Sequence, residues 1–312
     1  MKKYTRKLQF VAGSTYSISL PKEWVKDFNL KPQQLLNLVE METGLLISPE
    51  NVSLSSNEIS FSLDEMNSGI NQILISSYYY GFEKINFYSK SEISPEAKRD
   101  IRNIISELPG AEIIYEDKKK LSIQIMFENL NVDIFQLLYR VYLLVESSIE
   151  NIVSLFDWEE IDLNEKEVDR LYHLATKIIT YSIKNRGVLI SSKIENPLFL
   201  PSLFLISKRL ENIEDNLSEI AKLVKTNQIV LNESKKILPE LKNELERAIL
   251  YLIGKRNKHF IKMENSMKER IKEDMNKIKN DLVKQNVRDI LRYIVNIQED
   301  VITLGFYEKL KN

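Results

Sequence analysis

Apolar positions change their period along the chain. Near the start, Tyr16, Ile18 and Leu20 alternate with Ser17 and Ser19, the period of a half-buried strand. Gly13-Ser14 ahead of that run predicts a turn. Pro21 stops the strand, and Pro21-Lys22-Glu23-Trp24 opens a short helix that Leu30-Lys31-Pro32 ends. Leu35, Leu36, Leu38 and Val39 predict another strand, Gly44 a turn, and Leu45-Leu46-Ile47 a last strand before Pro49. A β unit of this size buries little by itself, which predicts that it dimerises.

Residues 51–59 are polar and read as a linker. Residues 60–128 mix periods. Ile70, Ile73, Leu74 and Ser77 predict a helix ending near Gly81, and Ile85-Asn86-Phe87 a short strand. Ser94-Pro95-Glu96 is a helix start, with Ser as N-cap and Pro at the first position. Its stripe is Ile101, Ile104, Ile105 and Leu108, and Gly110 ends it. Ile113-Ile114-Tyr115 and Leu121 to Ile125 predict a hairpin across Asp117 to Lys120.

From about residue 130 the period is three to four throughout. Ile134, Leu137, Leu138, Val141, Leu144, Val145, Ile152 and Leu155 mark a first helix. A second runs from about Glu165 to Lys184 on Val168, Leu171, Ala175, Ile178 and Ile179. A third follows Pro197 and Pro201, carrying Leu203, Ile206, Leu210, Ile213, Leu217, Ile220 and Val224. Three more are expected at about 231–254, 259–284 and 286–310. The fold class is therefore mixed and mainly α. Its expected domains are a β module at 1–50, a small α+β middle domain at 51–128, and helices at 129–312. The six helices suggest two three-helix bundles, 129–227 and 228–312.

The 312 residues carry a net charge of −1, so charge informs only segment by segment. The absence of cysteine excludes disulfides and thiolate metal sites and fits an intracellular protein. No apolar core follows the basic first residues, so no secretory signal is expected. No stretch approaches the ~18 apolar residues of a membrane span, and a cytoplasmic location is expected. Walker A, G-x-G-x-x-G, G-x-S-x-G and H-E-x-x-H sequences are missing, and two scattered histidines supply no nucleophile–base pair. The expectation is a protein that is not an enzyme.

Lys2, Lys3, Arg6, Lys7, Lys22 and Lys26 stand against the single acid Glu23 in the first 26 residues. Such clustering is the footprint of a surface for phosphate backbones, or equally a basic edge that discourages strand pairing. The sequence from Arg6-Lys7-Leu8-Gln9-Phe10 to Pro49-Glu50 adds pattern to charge. Arg6, the Gly13-Ser14 turn, the run Leu20-Pro21-Lys22-Glu23-Trp24, Leu30-Lys31 and the end from Leu46 to Pro49 resemble the AbrB/SpoVT-like swapped-hairpin family. Gln33-Gln34 stands where that family usually has Gly-Asp. The resemblance implies an intertwined homodimer that binds DNA through basic residues near its start, here Lys2, Lys3, Arg6, Lys7 and Lys22.

Among the helices, Glu165 and Asp169 are four apart, as are Glu211 and Asp215, so each pair shares a helix face. Two such pairs could converge on a hard cation, or could be chance neighbours on a solvated surface. The segments Glu165 to Ile179 and Lys208 to Val224 look like the two signature helices of PhoU-type phosphate uptake regulators. That resemblance implies iron or zinc held by Glu165, Asp169, Glu211 and Asp215. Asn212 and Asn216 replace the Arg and His of the familiar motif, and the last helix has Asn296 in place of an acid, with Asp300 retained. The middle region resembles the linker domain of archaeal-type PhoU homologues. His173 reads as a packed ring rather than a ligand, and His259 as part of a solvated basic junction with Lys255, Arg256 and Lys258.

Together these resemblances imply a DNA-binding regulator of phosphate uptake with a metal-binding or partner-docking helical domain. The alternative is an adaptor that docks on the ATPase subunit of a phosphate ABC transporter without binding DNA. A carboxylate–metal enzyme is disfavoured, because the Glu-x-x-His pairs of such sites are missing.

Overall fold

The structure is a computed structural model that describes residues 3–11, 13–41, 44–49, 58–66, 69–126, 132–154, 156–226, 235–254 and 260–310. It divides into two units, Met1–Ser56 and Asn57–Asn312.

In the first unit, β1 (Gln9–Val11) pairs antiparallel with β2 (Thr15–Ser17), and Phe10 faces Tyr16. Gly13 turns the chain between them with φ 71°. Strand β2 stops short of the expected Leu20, because β1 offers only three partners. Helix α1 (Lys22–Asp27) starts directly after Pro21. A second hairpin joins β3 (Leu36–Met41) to β4 (Gly44–Pro49), with Leu38 opposite Ile47. Among the described residues the two hairpins do not pair with each other. Gln33 adopts φ 68°, and the Gln34 side chain accepts a hydrogen bond from the Lys31 amide at 3.0 Å. Gln33 and Gln34 together close a turn here.

The second unit opens with a four-stranded sheet in the order β5-β6-β8-β7. Strand β5 (Glu58–Ser62) runs parallel to β6 (Lys84–Tyr88), with α2 (Ile70–Tyr80) as the crossover. Helix α3 (Pro95–Glu107) leads to β7 (Ala111–Glu116), and β8 (Lys120–Ile125) pairs antiparallel with both β7 and β6. Reading 51–59 as a linker is corrected at its end: Glu58 and Ile59 lie in β5, where Ile59 packs against the core. Ile59 and Phe61 alternate with Ser60 and Ser62, a period-two signal that runs across the boundary drawn after residue 59. The remainder of that segment, 51–57, lies outside the described residues. Ser94 Oγ caps α3 through the Ala97 amide at 3.1 Å. Gly81 ends α2 at φ 83°, and a Cβ there would sit 2.5 Å from the Tyr181 ring, so any other residue is strained and must displace that ring.

The remaining helices are α4 (Ile134–Val153), α5 (Trp158–Lys184), α6 (Arg186–Ser191), α7 (Leu200–Thr226), α8 (Leu238–Ile253), α9 (Asn265–Asn276) and α10 (Asp281–Leu310). Helix α5 begins seven residues before Glu165, since Asp157 accepts from the Glu159 amide and caps it. Helix α9 is shorter than the expected 259–284, and Asn280 caps the start of α10. Helix α7 lies centrally, packed against α4, α5 and α10. The helices of both expected bundles line one continuous apolar core, from Ile134 to Leu304. Among the described residues no helix is long and apolar enough to cross a membrane.

Candidate basic arm and carboxylate site

The extended chain before β1 carries Lys3, Arg6 and Lys7, all exposed. Tyr4 donates its hydroxyl to Glu23 of α1 at 2.9 Å, which ties the arm to the helix that bears Lys22. The Arg6 guanidinium lies 5.8 Å from the Tyr4 ring centre. Among the described residues none of Lys3, Arg6, Lys7 and Lys22 has an ion-pair partner, so their charge faces water. Lys2 lies outside the described residues.

In the second unit the acids of α5 and α7 meet, because the two helices pack along their apolar stripes and the i,i+4 acids border that seam. One carboxylate oxygen from each of Asp169, Glu211 and Asp215 lies within 4.8 Å of the others. Glu165 stands outside this triad, yet burial and the charge of Asp215 raise its pKa. Burial holds Asp169 up at about 7, helped by Asp215, Glu165, Glu211 and Glu107. Glu211 and Asp215 are raised by burial too, with Lys208 opposing. The structure therefore brings together three of the four sequence-picked ligands, with the fourth beside them.

Three neighbours escaped the sequence reading. Glu107, at the end of α3, adds its charge from the sheet layer, and nothing in the sequence links it to α5. Glu214 is fully buried; one oxygen accepts the Ser148 hydroxyl and Oε2 has no partner. Burial raises Glu214 to about 8, and Glu165, Asp215 and Asp169 add to it. Lys208 Nζ lies 2.5 Å from both oxygens of Glu211.

The donor set is all oxygen, which suits a hard cation such as magnesium, manganese, calcium or ferric iron better than zinc. His173 stays outside the triad: its Nδ1 bonds the Tyr79 hydroxyl at 2.6 Å, and its ring packs between Tyr79 and Tyr172. Burial pulls His173 down to about 4, so it is neutral. Asp300 of α10 is paired with Arg209, which also donates to the Asn296 carbonyl at 2.8 Å. Asp300 is thus already neutralised by a guanidinium. His259 and its basic run lie outside the described residues.

Residues 9–54 match the family model of MazE, the bacterial antitoxin of antidote–toxin recognition. The first unit therefore carries a MazE/AbrB-type module, which fits a swapped-hairpin DNA-binding domain. No curated protein and no solved structure matches the chain.

Proposed function

We propose that this protein is a homodimeric DNA-binding regulator whose helical region takes a hard cation as its input. The observation that carries the reading is the MazE-type match at 9–54 beside exposed basic residues without ion-pair partners among the described residues: Lys3, Arg6 and Lys7 on the arm and Lys22 on α1. The arm would neutralise phosphates, and the dimer would read two half-sites. Asp169, Glu211 and Asp215 would hold the cation, with Glu165 next to them. When bound, the ion would cancel the mutual repulsion of these carboxylates. The finer assignment, to phosphate uptake in the cytoplasm, rests on the resemblance of α5 and α7 to PhoU-type helices.

Fluorescence anisotropy with DNA from the protein's own promoter region, across a salt series, tests the DNA reading. Binding is expected to weaken steeply as salt rises, and to exceed binding to random DNA. Replacing Arg6 and Lys7 with Ala should reduce the salt slope by about one unit for each phosphate no longer neutralised. No binding at low salt would remove the DNA reading and leave the adaptor on a transporter ATPase subunit.

A further inference from the structure

We propose that Lys208 is a tethered competitor for the cation at the carboxylate site, and that it sets which ions the site accepts and at what concentration. The inference rests on the reading of Asp169, Glu211 and Asp215 as a cation site.

Lys208 precedes Glu211 by three residues on α7, so its ammonium reaches the carboxylate without leaving the helix face. It grips both oxygens of Glu211 at 2.5 Å and stands 4.9 Å from the centre of the Tyr172 ring. Glu211 is only 8% exposed, so water cannot replace that partner. A metal ion would need at least one of the same oxygens at roughly 2.0–2.6 Å. Ammonium and metal would then sit on one carboxylate as like charges a few ångströms apart, in a medium that screens poorly. Both cannot stay. The lysine side chain is 40% exposed, so it has a route to water when the metal arrives. A compact ammonium on a flexible stem suits such an exchange better than a planar guanidinium.

The lysine leaves the site short of positive charge. Asp169 and Asp215 have no ion-pair partner among the described residues, and the buried Oε2 of Glu214 is unpartnered, with its carboxyl in electrostatic reach of Glu165, Asp215 and Asp169. A monovalent ion only exchanges one positive charge for another. A divalent ion adds one, and the two open aspartates reward it. Lys208 therefore selects for higher charge and weakens the affinity for every ion.

The experiment titrates manganese(II) into the purified full chain and counts the free ion by electron paramagnetic resonance. It compares wild type, Lys208→Met, Lys208→Gln, Lys208→Arg and Asp169→Asn. Lys208→Met and Lys208→Gln should each bind at least tenfold tighter than wild type, and Lys208→Arg, which keeps the charge and pairs bidentately, should bind more weakly than wild type. Without metal, Lys208→Met should melt below wild type; with saturating manganese the order should reverse. Equal or weaker binding in both neutral variants, while wild type binds and Asp169→Asn does not, would overturn the role of Lys208 and leave the cation site standing. No binding in wild type or in any Lys208 variant would overturn the cation reading itself, and this inference with it. Two neutral variants guard against one that fails to fold.

Discussion

Gln33 holds a backbone shape, φ 68°, that glycine adopts at little cost. An L-residue in that region loses about 1–2 kcal/mol, of which a Gly loses part again through its freer unfolded chain. Gln33→Gly should therefore stabilise the first unit, by about 1 kcal/mol. The chain has two tryptophans, Trp24 in α1 and Trp158 in α5, so urea unfolding followed by Trp24 fluorescence in a Trp158→Phe background isolates the effect. Destabilisation would mean that the glutamine chain contributes more than its strain. At this scale the sequence was legible wherever residue type and backbone shape agree: Gly81, Pro21 and the Ser94 cap each stand where their chemistry puts them. Gln33-Gln34 was not, since a long side chain that closes a turn leaves no pattern.

Helices α5 and α7 show what spacing can and cannot reveal. Acids four apart share a face in any helix, so Glu165 with Asp169 and Glu211 with Asp215 could be picked out as two pairs before the fold was known, though not that the pairs meet. Glu107 and the free oxygen of Glu214 could not, because both depend on which helices meet. Glu214 is fully buried, and nothing in the sequence sets it apart from the other acids around it. Its burial has a measurable consequence. The folded state holds its proton up to about pH 8, whereas the unfolded chain releases it near the ordinary carboxylate value of about 4.3. The folded state thus binds more protons between those limits, and its stability falls as pH rises through that window. Glu214→Gln keeps a partner for Ser148 and has no proton to lose. Its stability relative to wild type should grow with pH, by up to about 1.4 kcal/mol per unit. Denaturant unfolding of both proteins from pH 5 to 8, in the presence of a chelator, checks this. Parallel pH profiles would show that Glu214 is not the group that titrates. Taking the difference between the two proteins removes the opposing contribution of Lys177, which burial lowers to about 7 and which therefore gains stability as pH rises.

At the scale of the molecule, the first unit lacks an interior of its own. Leu8, Phe10, Tyr16, Leu35 and Leu38 are each at least 60% exposed, and no described Leu, Ile, Val, Phe, Tyr or Trp side chain between residues 3 and 49 is buried. A chain of this length buries only about 60% of the surface its unfolded form exposes and is marginal alone, so exposed apolar side chains weigh heavily. Two short hairpins that, among the described residues, do not pair with each other leave strand edges and apolar faces for a second copy. Burying side chains of this size is worth about 1.5–3 kcal/mol each, so the five from each of two copies give about 15–30 kcal/mol against an association cost of roughly 4–15 kcal/mol. The full chain should therefore sediment at twice its mass at micromolar concentration. Phe10 and Tyr16 face each other across β1 and β2 with ring centres 5.0 Å apart. Replacing both with Asp should break this dimer and abolish DNA binding, although Arg6 and Lys7 remain. Sedimentation and anisotropy on the same samples read the two effects together. A wild-type monomer that still prefers its promoter DNA would show that one copy of the basic arm suffices, and the exposed apolar set would then belong to another partner.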